Sequence, residues 1–199
     1  MTRSLRAVAR AAMVAVIVSS LMACTAPAPL PEQTPQSIPH DADTGQTIAE
    51  AREAIDAIPG ISVTDFAGGG PPNVKGNTGY TVVFNIEPGY TVTDGDLLVD
   101  YIVRNVWAVG EGHMPNTQIQ ISASTADGEP FFDLTAAAEG STWRSPKTSS
   151  APSRHSSVIF PLSEDDPEGA VNLMKLKRGG SWPGVIPEPF SYDVTVKNG

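Results

Sequence analysis

Apolar positions recur at two periods along this chain, and the switches between them mark out its elements. Ile48, Ala51, Ile55 and Ile58 stand at helical spacing, with Glu50, Arg52, Glu53 and Asp56 on the other side. That pattern predicts an amphipathic helix over 47–58. Thr47 and Glu50 have the spacing of a capping box, and Pro59-Gly60 is a stop signal. The run "ISVTDFAGG" then alternates through Ile61 and Val63, with Phe66 out of phase. "GYTVVFNIEP" follows as a second strand, rich in β-branched and aromatic residues. The glycine- and proline-rich stretch between them, Gly68 to Pro72 with Gly76-Asn77, reads as the loop of a hairpin.

The pattern then repeats. Thr93 or Asp94 can cap a helix running to Val109, with Leu98, Tyr101, Ile102, Val106 and Val109 as its buried stripe. "NTQIQISAST" alternates with Ile119 and Ile121 on one face. Asp127-Gly128 marks a turn, and "PFFDLTAA" is the expected returning strand. Two helix-strand-strand units predict an α+β domain over 43–140 in αββαββ order. Its antiparallel sheet would carry two helices on one face. The rest, 141–199, is expected to be an irregular, β-containing extension packed on the same domain. "STWRSPKTSSAPSRHSS" reads as a Ser-rich, basic loop, while "SVIFPLSE" and "FSYDVTVKNG" read as strands. "PEGAVNLMKLKRGGSWPGVIPEP" has no single reading.

The N-terminal segment has a different layout. Arg3, Arg6 and Arg10 precede a small apolar run from Ala11 to Ser20, which is shorter than the roughly 20 residues that span a bilayer as a helix. This is the layout of a signal peptide over 1–23. Its end reads Leu21-Met22-Ala23-Cys24, and Cys24 is the only cysteine in the chain. The segment resembles a bacterial lipoprotein precursor, whose lipobox carries Leu, a small residue and an obligatory Cys where Leu21, Ala23 and Cys24 stand. The whole chain, rich in Ala, Pro and Gly, looks like the small lipoproteins of actinobacteria.

The resemblance implies that Cys24 receives a diacylglyceryl group and that signal peptidase II recognises Leu21, Met22 and Ala23 and cuts before Cys24. Two acyl chains hold a protein firmly to a bilayer where one holds it marginally. The protein is then exported and anchored by lipid to the outer face of the cell membrane. The alternative is an ordinary secreted protein with a chance cysteine near its cleavage site. Residues 24–42 carry prolines at 27, 29, 31, 35 and 39 and read as a tether. Its Pro-rich part, 25–40, would reach roughly 50 Å in polyproline II form.

A second resemblance concerns the fold alone. "AIDAIPGISV", "YTVVFNI" and "TDGDLLVDYIV" follow the rhythm of small ferredoxin-like modules such as the heavy-metal-associated domain. The metal-binding Cys-x-x-Cys of that family is absent, so the resemblance implies a fold rhythm and no metal transfer.

Charge narrows the partners. The chain has 13 Lys+Arg and 22 Asp+Glu, a net charge of −9; loss of Arg3, Arg6 and Arg10 with the signal peptide takes it to −12. That argues against nucleic acid and against adhesion to anionic lipid. The membrane is met through the lipid on Cys24, and the remaining candidate partners are another envelope protein or a wall polymer. With its one cysteine lipidated, the folded part has neither thiol nor disulfide.

Candidate chemistry is sparse. His40, His113 and His155 fall in tether or loop sequence without metal-ligand spacing, so no metal site or cofactor is expected. No nucleophile elbow, phosphate loop or dinucleotide fingerprint occurs. Asp94 and Asp96 suit a helix start, and "SEDDPEG" suits a solvated turn. Trp143 and Trp182 lie in loop sequence, where exposed aromatics can mark a binding surface; packing over a sheet edge is the alternative. The leading expectation is therefore a non-enzymatic binding or accessory module of the envelope, with no catalytic residue assigned. A wall-directed hydrolase without a recognisable motif and a small-ligand or lipid-binding lipoprotein are the alternatives. A deep pocket joining carboxylates or a histidine to the sheet would favour the hydrolase.

Overall fold

A computed structural model describes residues 37–144 and 153–199. The expected signal peptide, with Leu21, Met22, Ala23 and Cys24, and the first part of the expected tether lie outside the described residues, as does the middle of the Ser-rich loop.

The described residues are α+β, with four helices and a mixed four-stranded sheet among them. The first helix, α1 (Ile48–Asp56), starts as its sequence dictates. The Thr47 hydroxyl accepts from the Glu50 amide at 3.1 Å, and the Glu50 carboxylate accepts from the Thr47 amide at 2.8 Å. Two of the helix's orphan N–H groups are thereby satisfied. Ala51 and Ile55 are buried. After the helix, Gly60 adopts a φ of +74°, and a Cβ there would collide with the ring of Tyr90; only glycine meets both demands.

Strands β1 (Ile61–Gly68) and β2 (Gly79–Ile86) pair antiparallel, as expected of the hairpin. The register shifts between Val63 and Asp65. This bulge at Thr64 explains why Phe66 is out of phase in the sequence, because the extra residue turns Phe66 back to the buried face.

A short strand, β3 (Tyr90–Val92), leads into α2 (Gly95–Trp107). Leu98, Val99, Ile102, Val103 and Val106 of α2 are fully buried. Asp94 is its N-cap residue but makes no side-chain cap bond. β4 (Gln118–Thr125) then returns beside β2 and runs parallel to it. The expected all-antiparallel sheet is therefore corrected. A strand-helix-strand crossover delivers its second strand in the same direction as the first, and α2 is that crossover.

The expected strand at 130–137 is also corrected. Asp133 accepts from the Ala136 amide at 2.9 Å and caps a short helix, α3 (Leu134–Gly140). The strand that pairs antiparallel with β4 is β5 (His155–Pro161). The sheet order is β1-β2-β4-β5. A fourth helix, α4 (Pro167–Arg178), follows β5, and β6 (Thr195–Lys197) pairs with β3 in a separate two-stranded sheet.

Leu173, Leu176 and Val194 join the same core as Tyr80, Phe84, Ile102 and Ile121, so residues beyond 141 help to build it. At the other end, Asp41, Ala42 and Gln46 donate backbone hydrogen bonds to Gly112, Gly110 and Ala108 at 2.8–2.9 Å. The chain is thus fastened along the end of α2 before α1 begins.

Candidate functional site

The strands alternate between two environments. Val63, Tyr80, Val82, Phe84, Ile119, Ile121, Val158 and Phe160 point into the core. The opposite face carries Thr81, Asn85, Gln120, Ser122, Ser124 and Ser157, and every one of these is partly or fully exposed. An antiparallel or mixed sheet can leave one face to solvent when that face is polar. Here it is polar except for Val83 and Ile159, which are partly exposed on it, and it is internally bonded. Gln120 Nε2 donates to Ser157 Oγ at 3.0 Å, and the Ser122 and Ser157 hydroxyls lie 3.0 Å apart.

At one end of this face the register builds a row. Ser62 of β1 lies opposite Asn85 of β2, Asn85 opposite Ser124 of β4, and Ser124 opposite His155 of β5. The four line one open groove of about 380 Å³, with Glu87 at its edge. The groove sits beyond the carboxyl ends of the parallel pair β2 and β4, where sheets of this kind commonly hold ligands. Ser124 Oγ and His155 Nδ1 share a hydrogen bond of 2.8 Å. The row offers two hydroxyls, a carboxamide and an imidazole, all of them hydrogen-bonding groups. Among the described residues no carboxylate is hydrogen-bonded to His155, while Glu87 lines the same groove.

The two tryptophans weighed as a binding surface differ in their placement. Trp143 is only 4 % exposed. Its indole N–H donates to Asp100 Oδ1 at 3.0 Å, and the cations of Arg104 and Lys175 stand 5.6 and 5.8 Å from its ring. Burial, with Arg144 and Arg178 nearby, lowers the Lys175 pKa. An acceptor for the N–H and two cations for the π face make burial favourable here, and Trp143 is packed, the second of the two placements weighed for it. Trp182 is half-buried against the core, and its N–H is buried without an acceptor among the described residues. It precedes a cis peptide bond to Pro183.

Other candidates have structural duties. His155 opens β5 rather than lying in a loop. The rings of His40 and His113 stack at 4.9 Å where the chain meets the end of α2. Asp166 caps α4 through the Gly169 amide at 2.8 Å, and Glu164 pairs with Lys177 at 3.0 Å. Among the described residues, no group of three His, Cys, Asp or Glu side chains could hold a metal ion, and no helix is long and apolar enough to cross a membrane.

Nothing in the sequence singled out Ser62, Asn85 or Ser124, and His155 stood out only as one of three histidines. The only signal was the alternation that made their positions outward-facing; the row exists only once the register is set. No protein-family model, curated protein or solved structure matches this chain.

Proposed function

We propose that this is an envelope protein held to the membrane by lipid on Cys24, and that the folded part is a non-enzymatic module that binds a polyhydroxylated wall polymer through its open sheet face. The in-register row Ser62–Asn85–Ser124–His155 carries this reading. A sugar presents hydroxyls at short, regular intervals, and neighbouring strands present side chains about 4.8 Å apart. Rows of neutral donors and acceptors at that spacing suit such a ligand better than they suit an anion or an apolar chain. In this reading α1, β1, β2, α2, β4 and β5 form an αββαββ scaffold. β3, α3, α4 and β6 are additions to that order.

The experiment is co-sedimentation of the full chain with insoluble wall material, with soluble wall oligosaccharides as competitors. Asn85→Ala and His155→Ala each weaken binding about tenfold, the size of one or two lost hydrogen bonds, without lowering the melting temperature. Unchanged binding in both variants rejects the row as the contact.

The Ser124–His155 contact of 2.8 Å favours one other reading. A hydroxyl bonded to an imidazole is the core of an acyl-transfer nucleophile, with His155 taking the Ser124 proton. A fluorophosphonate separates the two. A stoichiometric adduct on Ser124, lost in Ser124→Ala, assigns the groove to the hydrolase; an unlabelled protein leaves the binding module.

A further inference from the structure

A second depression, of about 160 Å³, lies where the end of α1 meets the chain at 189–194. Its floor is small-sided, because Ala54 and Ala57 leave the last turn of α1 bare. Its wall is three aromatic rings in sequence. Tyr101 of α2 and Phe190 have centroids 4.7 Å apart and a tilt of 40°. Phe190 and Tyr192 follow at 6.2 Å and 49°. The inner ring is fixed, since Tyr101 is buried and its hydroxyl donates to the Ala54 carbonyl at 3.5 Å. The outer ring is open, with Tyr192 52 % exposed.

The electrostatics of the slot have one sign. Asp193 is exposed on its lining, with no hydrogen-bond or ion-pair partner among the described residues. The C-terminal end of α1 brings the negative end of the helix dipole, and no basic residue lies in its last turn.

We propose that this slot docks a proline-rich peptide segment of a partner protein, in polyproline II form, with a Lys or Arg beside its prolines. A prolyl ring is stiff and apolar and packs flat on an aromatic face. A polyproline II segment also pre-exists in the free peptide, so little ordering entropy opposes binding. The volume of about 160 Å³ holds one or two such rings and is too small for the face of a helix. The Asp193 carboxylate and the helix end select the cation. The slot shares no residue with the sheet row, so the two sites succeed or fail independently.

The test is titration of the full chain with the synthetic peptide Ac-PPLPPR-amide, followed by calorimetry and by NMR shifts at Tyr192 and Val194. Three control ligands accompany it: the same peptide with alanine for each proline, the same peptide with Gln for Arg, and a wall oligosaccharide. The expected result is saturable binding that the alanine peptide lacks. Tyr192→Ala, a change at an exposed ring that leaves the melting temperature in place, weakens it about tenfold. Asp193→Asn removes the preference for the Arg peptide over the Gln peptide. The proposal is overturned by absence of saturable binding, by equal binding of the alanine peptide, by indifference to Tyr192→Ala, or by shifts at these residues from the oligosaccharide instead.

Discussion

Tyr80 illustrates how a polar atom is carried into a core. Its ring is buried in the sheet's inner face, and its hydroxyl reaches the carbonyls of Glu111 and His113 at 3.1 and 3.3 Å. Burial, aided by the carboxylates of Glu111 and Asp41, pushes its pKa up to about 12. An unfolded tyrosine titrates near 10. The folded state therefore holds its proton more tightly. The resulting stability is whole below about pH 10 and is lost as pH rises toward about 12. Denaturation midpoints across that window should fall in the wild type. In Tyr80→Phe they should fall less steeply, from a starting stability lower by about 0.5–1.5 kcal/mol for the lost hydrogen bonds. Asn172 makes the same point without a titration. It is fully buried, it donates to the carbonyls of Arg144 and Pro161 at 2.6 and 3.0 Å, and it accepts from the Arg144 amide at 2.7 Å. Asn172→Ala leaves those backbone groups without it, and urea unfolding should show a loss of about 2–3 kcal/mol.

At the level of elements, the chain was most legible where local chemistry and burial agree. α1 shows its capping box and its stripe in the sequence, and Thr47→Ala should lower stability by about 1 kcal/mol in thermal melts. Hydrogen bonds from the Thr47 amide and hydroxyl hold the Glu50 pKa below its ordinary value. Their support is present above the usual carboxylate range and fades as acid titrates Glu50. α2, β1, β2 and β4 were legible for similar reasons. The misreading at 130–137 came from weighting Phe131-Phe132 over Asp133 and the alanines that follow, which are a cap and helix formers. α4 showed its signals too, with Asp166 as cap, Pro167 at the first turn, and Lys175, Lys177 and Arg178 at the last. The acidic turn before it obscured them. The parallel pairing of β2 with β4 follows from a helix between two strands, whereas sheet order is a tertiary outcome that no local pattern encodes. The candidate row was illegible for that reason: its four residues come from four strands and meet only through register.

For the whole molecule, the lipid proposed on Cys24 would separate attachment from folding. The core described above contains no cysteine, so its melting temperature should be the same with and without a reductant. Cys24→Ala should leave that temperature unchanged while moving the protein from the membrane fraction to the medium, read by fractionation and intact mass. Retention of the Cys24→Ala protein in the membrane would reject lipid as its attachment. The sheet makes a comparable division. Its inner face is occupied by Tyr80, Phe84, Ile119 and Phe160, while Ser62, Asn85, Ser124 and His155 stand outside the core. Those four positions can therefore be randomised together without repacking the interior. A library varied at them alone should yield mostly folded members with new ligand preferences, making this sheet an adaptable scaffold for engineered recognition.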